Sequence, residues 1–92
     1  MGLTKNTAFM YATKNIRCNA ICPGGIETEI GTGVYMRKAN KEGMERAMSG
    51  IGLNPRMGKA KEIAAAAVFL VSDDASYVNG QCLVVDGGFT AY

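Results

Sequence analysis

No histidine occurs among the 92 residues, and only three cysteines do. Without an imidazole, a Ser-His-Asp or Cys-His mechanism cannot be built within this chain. The same shortage argues against zinc, whose structural sites take four ligands at suitable spacing. Long apolar runs are missing as well: the longest, Ile63 to Val71, is nine residues, about half of what a membrane-spanning helix needs. Met1 is followed by Gly-Leu-Thr-Lys rather than by a basic stretch leading into an apolar one, so no secretory leader is expected and the expected location is cytoplasmic.

An excess of either charge is also lacking. Ten Lys and Arg stand against eight acids, for a net charge of +2. The densest basic stretch, Arg37-Lys38 to Lys41, runs straight into Glu42 and Glu45, the pattern of a solvated helix face. With no basic stripe and no aromatic platform, neither nucleic acid nor a membrane is an expected partner. Hydrophobic residues at 48% and charged residues at 20% match ordinary soluble proteins. At this length a chain buries only somewhat more than about 60% of its unfolded surface, which fits a piece of a globular domain better than a complete enzyme.

Cys18 and Cys22 are four apart, which on a strand separates them by about 13 Å, too far for a disulfide. Alternation puts them on the same side as Ile16 and Ala20. The cysteines are therefore expected to be small buried hydrophobes in a reducing compartment.

Residues 3–14 carry a helical pattern. Leu3, Thr7, Met10 and Tyr11 recur at spacings of three and four, with Ala8 and Ala12 beside them and Lys5 and Lys14 at polar positions. Asn15 suits the left-handed conformation that closes a helix. Ile16 to Cys22 alternates with period two, and Pro23-Gly24-Gly25 stops it. From Glu27 to Met57 the signal weakens: Val34 to Ala39 and Met44 to Met48 form short helices at most, among punctuating glycines and Pro55. Connections this long inside a domain are usually functional, and methionines at 36, 44, 48 and 57 suit an adaptable lining. Ile63 to Val71 is apolar all round, predicting a helix buried between neighbours. Ser76 to Gly80 reads as a turn. Gln81 to Val85, without alternation, predicts a strand buried on both faces, as in parallel sheets, ended by Gly87-Gly88. The predicted class is α/β, in the order helix, strand, helical lid, helix, strand.

Two runs carry a resemblance: Ile16-Arg17-Cys18-Asn19-Ala20-Ile21-Cys22-Pro23-Gly24-Gly25-Ile26-Glu27-Thr28, and Asn79-Gly80-Gln81-Cys82-Leu83-Val84-Val85-Asp86-Gly87-Gly88. Both resemble the C-terminal part of short-chain dehydrogenases/reductases. The resemblance implies that residues 1–92 are the C-terminal fragment of a single NAD(P)-binding, Rossmann-like domain with a doubly wound parallel sheet, with 30–55 as substrate lid. It also implies NAD or NADP as cofactor, with Pro23, Gly24, Ile26 and Thr28 contacting it. Ligands in open α/β sheets lie beyond the carboxyl ends of the strands, where Pro23 to Thr28 falls. Pro23 fixes the exit direction, Gly24 and Gly25 allow close approach to a flat ring, and Ile26 offers backbone groups to a carboxamide. In the family, the residue matching Thr28 places its hydroxyl near the amide or the pyrophosphate.

The family's catalytic Tyr and Lys have three residues between them, so that one helical face presents both. Tyr11-Ala12-Thr13-Lys14 has two, and Gly2-Leu3-Thr4-Lys5 matches a family segment that follows the catalytic Lys. Tyr11 is thus expected to be a packing residue, and the chain to contain none of the catalytic residues. Arg56-Met57-Gly58 and Lys61-Glu62-Ile63-Ala64 resemble the family's Arg-x-Gly and Glu-Glu-Ile-Ala stretch. Asp86 reads as structural, since a lone carboxylate without a partner base does not define acid-base chemistry.

The expected function is the C-terminal part of an NAD(P)-dependent oxidoreductase acting on a small-molecule carbonyl or alcohol, inactive alone. The expected partner is a second copy or the N-terminal portion of the same enzyme. The alternative is a non-catalytic truncated protein that docks with an intact dehydrogenase through residues 3–14, 63–71 and 81–86. An unpaired edge on the first strand favours association in either case.

Overall fold

The computed structural model describes residues 1–27, 42 and 56–91. Helix α1 spans Gly2–Tyr11 and tightens into a 3-10 turn over Ala12–Lys14. Asn15 then takes the left-handed conformation, φ 59°, and its N–H donates to Ala12 O at 3.3 Å. This is the expected closure. The packed stripe of α1 keeps Ala8, which is buried, and Thr7, half-buried like Thr4, but not the larger members of the expected stripe: Leu3 is 81% exposed and Met10 and Tyr11 are also exposed. The reason is close approach. A Cβ at Gly80 would stand 3.3 Å from Ala8 Cβ, so small side chains bring α1 against the turn before the last strand.

Strand β1 is Ala20–Pro23 and pairs in parallel with β4, Cys82–Val85, in the register Ala20 opposite Cys82 through Pro23 opposite Val85. The predicted strand from Ile16 is thus shorter than expected. Arg17, Cys18 and Asn19 are held by side-chain bonds to the 72–81 segment: Cys18 N–H donates to Asn79 Oδ1, Asn19 Nδ2 to Val78 O, and Gln81 N–H to Asn19 Oδ1. The chain reaches β1 already anchored, and ladder pairing starts only at Ala20.

Helix α2, Ala60–Val71, joins the two parallel strands as the crossover of a Rossmann-like α/β unit. Its first turn is fixed by Lys59 N–H donating to the Glu62 carboxylate at 3.0 Å. Its last turn is fixed by Arg17, whose guanidinium donates to Leu70 O, Ser72 O and Val78 O. Leu70 and Ala75 are buried, but Val68 and Val71 are exposed, at 65% and 80%. The helix therefore presents an apolar face that nothing among the described residues covers, where burial all round was expected. The same holds for β4, whose Leu83 and Val84 are exposed rather than buried on both faces.

The cysteines correct the sequence reading most. Cys22 and Cys82 are joined by a disulfide across 60 residues of sequence, and Cys18, half-buried, stays a free thiol. Spacing along one strand excludes Cys18 with Cys22; it says nothing about a neighbouring strand.

Strand β2, Ile26–Glu27, pairs in parallel with β3, Gly58–Lys59. No expectation covered this two-residue pair. The lid assigned to residues 30–55 lies outside the described residues apart from Glu42.

Candidate cofactor site

Because β1 and β4 are parallel, their carboxyl ends emerge side by side, and the backbone turns of both ends meet. Gly24 N–H donates to Val85 O at 3.0 Å, extending the ladder one step past Pro23. A Cβ at Gly24 would lie 2.6 Å from Asp86 Cβ. Glycine at this position is thus required by the neighbouring strand, in addition to any ligand.

Gly25 O accepts from Gly58 N–H at 2.9 Å. In a parallel ladder the bonds to one residue flank its partner. With Ile26 opposite Gly58 and Gly25 accepting from it, the N–H and C=O of Ile26 itself point away from β3. The Ile26 side chain goes the other way in effect, packing over the missing Cβ of Gly58, where a methyl would sit 2.8 Å from Ile26 Cδ1. Ile26 thus has an anchored side chain and a donor and acceptor left over by the ladder.

A cavity of about 110 Å³ opens here, walled by Gly25 and Ile26 on one side, Val85, Asp86 and Gly87 on another, and Arg56, Gly58, Glu62 and Ile63 on the third. Arg56 Nη1 and Nη2 donate to Glu62 Oε1 and Oε2 at 2.7 and 2.8 Å, a two-bond fork. That hydrogen bonding, with the Lys59 N–H second, lowers the Glu62 pKa to about 2. The Arg56 pKa is raised by the same hydrogen bond. Asp86 is spent on its own turn: it accepts from Thr90 Oγ1 at 2.7 Å, Thr90 N–H at 2.9 Å and Gly88 N–H at 2.9 Å. Chiefly the Thr90 hydroxyl, then these N–H groups, hold its carboxyl below the usual range.

Of the four residues expected to contact the cofactor, Pro23, Gly24 and Ile26 come together at the carboxyl ends of the strands, and Thr28 lies outside the described residues. Arg56, Glu62 and Gly25 stand out in the sequence only as motif or turn residues, yet all three border the cavity. Among the described residues, no group of three or more potential metal ligands occurs and no helix is long and apolar enough to cross a membrane. Tyr11 is at the end of α1, and its carbonyl accepts from Ile16 N–H.

The family model described as enoyl-(acyl carrier protein) reductase matches residues 1–90. A 3β-hydroxysteroid dehydrogenase 2 of Eggerthella lenta is 53% identical over 92 residues, covering 100% of this chain and 35% of that protein. A 4-hydroxyisoleucine dehydrogenase solved with NADH superposes with a TM-score of 0.74 at 36% identity, over 99% of this chain and 36% of that one. A dehydrogenase from Agrobacterium tumefaciens solved with bound NADP superposes with a TM-score of 0.77 at 41% identity, over 99% and 35%. The chain spans about a third of the length of the curated relatives it matches.

Proposed function

This chain belongs to the short-chain dehydrogenase/reductase family, and we propose that it is the C-terminal part of an NAD(P)-dependent oxidoreductase acting on a carbonyl/alcohol pair. The observation that carries this reading is Ile26, whose side chain is locked against Gly58 while its own N–H and C=O are left out of the β2–β3 ladder. A carboxamide offers one acceptor and two donors, so it matches that pair of backbone groups.

When bound, the nicotinamide supplies a hydride acceptor or donor. The chain's own residues orient it. Pro23 sets the direction in which β1 leaves the sheet, the Gly24–Asp86 contact sets how far apart the two strand ends stand, and Ile26 holds the carboxamide in register. Thr28 follows Ile26 by two residues, and its hydroxyl adds a contact to the amide or the pyrophosphate. Relatives in complex with NADH and with NADP support a dinucleotide of either kind. The proton donor and acceptor of the reaction come from residues of the enzyme beyond these 92, because Tyr11 and Lys14 have the wrong spacing to act as a pair.

The reading is tested in the complete enzyme by Ile26→Pro, which removes the N–H, alongside Ile26→Val, which trims only the side chain. The expected result is a raised KM for the dinucleotide in Ile26→Pro and a near-normal one in Ile26→Val. An unchanged dinucleotide KM in a folded Ile26→Pro enzyme would overturn it.

A further inference from the structure

The disulfide lies immediately beneath the cofactor site. In the β1–β4 register Ala20 faces Cys82 and Cys22 faces Val84, so the two cysteines share one face of the strand pair, offset by two residues. Their Cα atoms are 6.4 Å apart, inside the span that a disulfide bridges without backbone movement. Both residues are half-buried rather than sealed in a core, so a small oxidant or thiol reaches them. Cys22 directly precedes Pro23-Gly24, and Val85, whose carbonyl holds Gly24 N–H, is three residues after Cys82. A bond between the sulfurs therefore ties together the two strand ends whose separation is set by Gly24 and Asp86.

We propose that Cys22 and Cys82 form a reversible oxidation site, reacting with hydroperoxides, and that the oxidised state pins β1 to β4 under the cofactor turn. One thiolate attacks a peroxide oxygen; the O–O bond breaks, water or an alcohol leaves, and that sulfur becomes a sulfenic acid. The second thiolate attacks the sulfenic sulfur, the S–O bond breaks, and hydroxide leaves to be protonated to water. Two electrons pass from the pair of thiols to the peroxide. Exchange with an external dithiol restores both thiols and carries the disulfide away on the reductant. Cys18 takes no part in the bond and serves as the internal control.

The test uses the 92-residue chain in wild-type and C18S forms, reduced, exposed to hydrogen peroxide, alkylated under denaturing conditions and cleaved with trypsin. The expected result is a linked pair of peptides, residues 18–37 with residues 62–92, lower in mass by about 2 Da than the two thiol forms together. In the wild type, fragmentation places the alkyl group on Cys18. The link appears in C18S, is absent in C22S and C82S, and vanishes with dithiothreitol. Amide exchange at Gly24 is expected to be several-fold slower in the oxidised chain than in the reduced one. Alkylation of both Cys22 and Cys82 after peroxide, a link through Cys18, or only links between chains would each overturn the site. A correct link with unchanged Gly24 exchange would overturn the pinning.

Discussion

Gly24 and Asp86 are in backbone contact: a Cβ on Gly24 would stand 2.6 Å from Asp86 Cβ and 2.8 Å from its Cα. The neighbouring atoms are backbone and first side-chain carbon, so they cannot rotate away. Gly24→Ala must push the ends of β1 and β4 apart, and overpacking of this kind costs about 1–3 kcal/mol. At the size of this chain that lowers Tm by about 4–8 °C for each kcal/mol. Gly2→Ala is the matched control, because nothing lies within 4 Å of a Cβ there. Its Tm is expected to stay level or rise slightly, since alanine suits a helix better than glycine. Thermal unfolding of the two variants checks both outcomes, and equal losses would refute the steric account.

Arg17 joins the start of the β1 segment to the end of α2. Its guanidinium donates to three carbonyls, of Leu70, Ser72 and Val78, at 2.8, 3.3 and 3.2 Å. Arg17→Met keeps the stem and leaves these partly buried acceptors without the donor, at a cost of about 1–3 kcal/mol. Arg17→Lys is expected to recover only part of it, because one ammonium does not reproduce the planar fork. Denaturant titration of the three proteins gives the ranking. Full recovery by lysine would mean that charge alone matters.

Much of the fold is legible in the sequence alone. The helix over the Ala-rich run 63–71, the left-handed Asn15 and the presence of strands at β1 and β4 all follow from local pattern. Other features depend on distant residues and have no local trace. Leu3 and Met10 carry part of the periodicity of α1, yet both stay exposed, and it is Ala8 that makes the close approach to Gly80. The Cys22–Cys82 pair requires the β1–β4 register, which no spacing within either strand encodes. Arg56 and Glu62 are visible as motif residues, but their fork requires the bend through β3 into α2. At the carboxyl end of β1 the turn through Pro23 and Gly24 is legible from the Pro-Gly pair, whereas the demand that Asp86 places on Gly24 appears only once the two strand ends lie side by side.

Acid should weaken the cavity wall. The Glu62 pKa is lowered to about 2 by Arg56 and the Lys59 N–H, so its folded-state carboxylate holds fewer protons than the unfolded one between about pH 2 and the ordinary carboxylate range. Stability therefore falls as pH drops through that interval, and the contribution is fully present above it. Asp86, lowered through Thr90, adds in the same direction. Arg56→Met is expected to move the Glu62 titration back toward ordinary values, as read by carboxyl NMR shifts. A Glu62 midpoint unchanged by that substitution would contradict the fork.

In the complete enzyme, Thr28→Val tests the remaining member of the expected cofactor set. It removes a hydroxyl at near-equal volume, and a neutral hydrogen bond contributes about 0.5–1.5 kcal/mol. Dinucleotide affinity is expected to weaken accordingly while Tm stays near that of the parent. A large fall in Tm with an unchanged dinucleotide constant would make Thr28 a structural residue.

As proposed, these 92 residues form the nicotinamide side of a dehydrogenase whose proton-transfer groups lie elsewhere, so the chain alone should not turn over. The most direct measurement is the rate of nicotinamide oxidation or reduction by the purified chain, with carbonyl and alcohol substrates and with both dinucleotides. The expected rate is no higher than that of tag and host controls. A rate that rises in proportion to purified protein and survives those controls would contradict it.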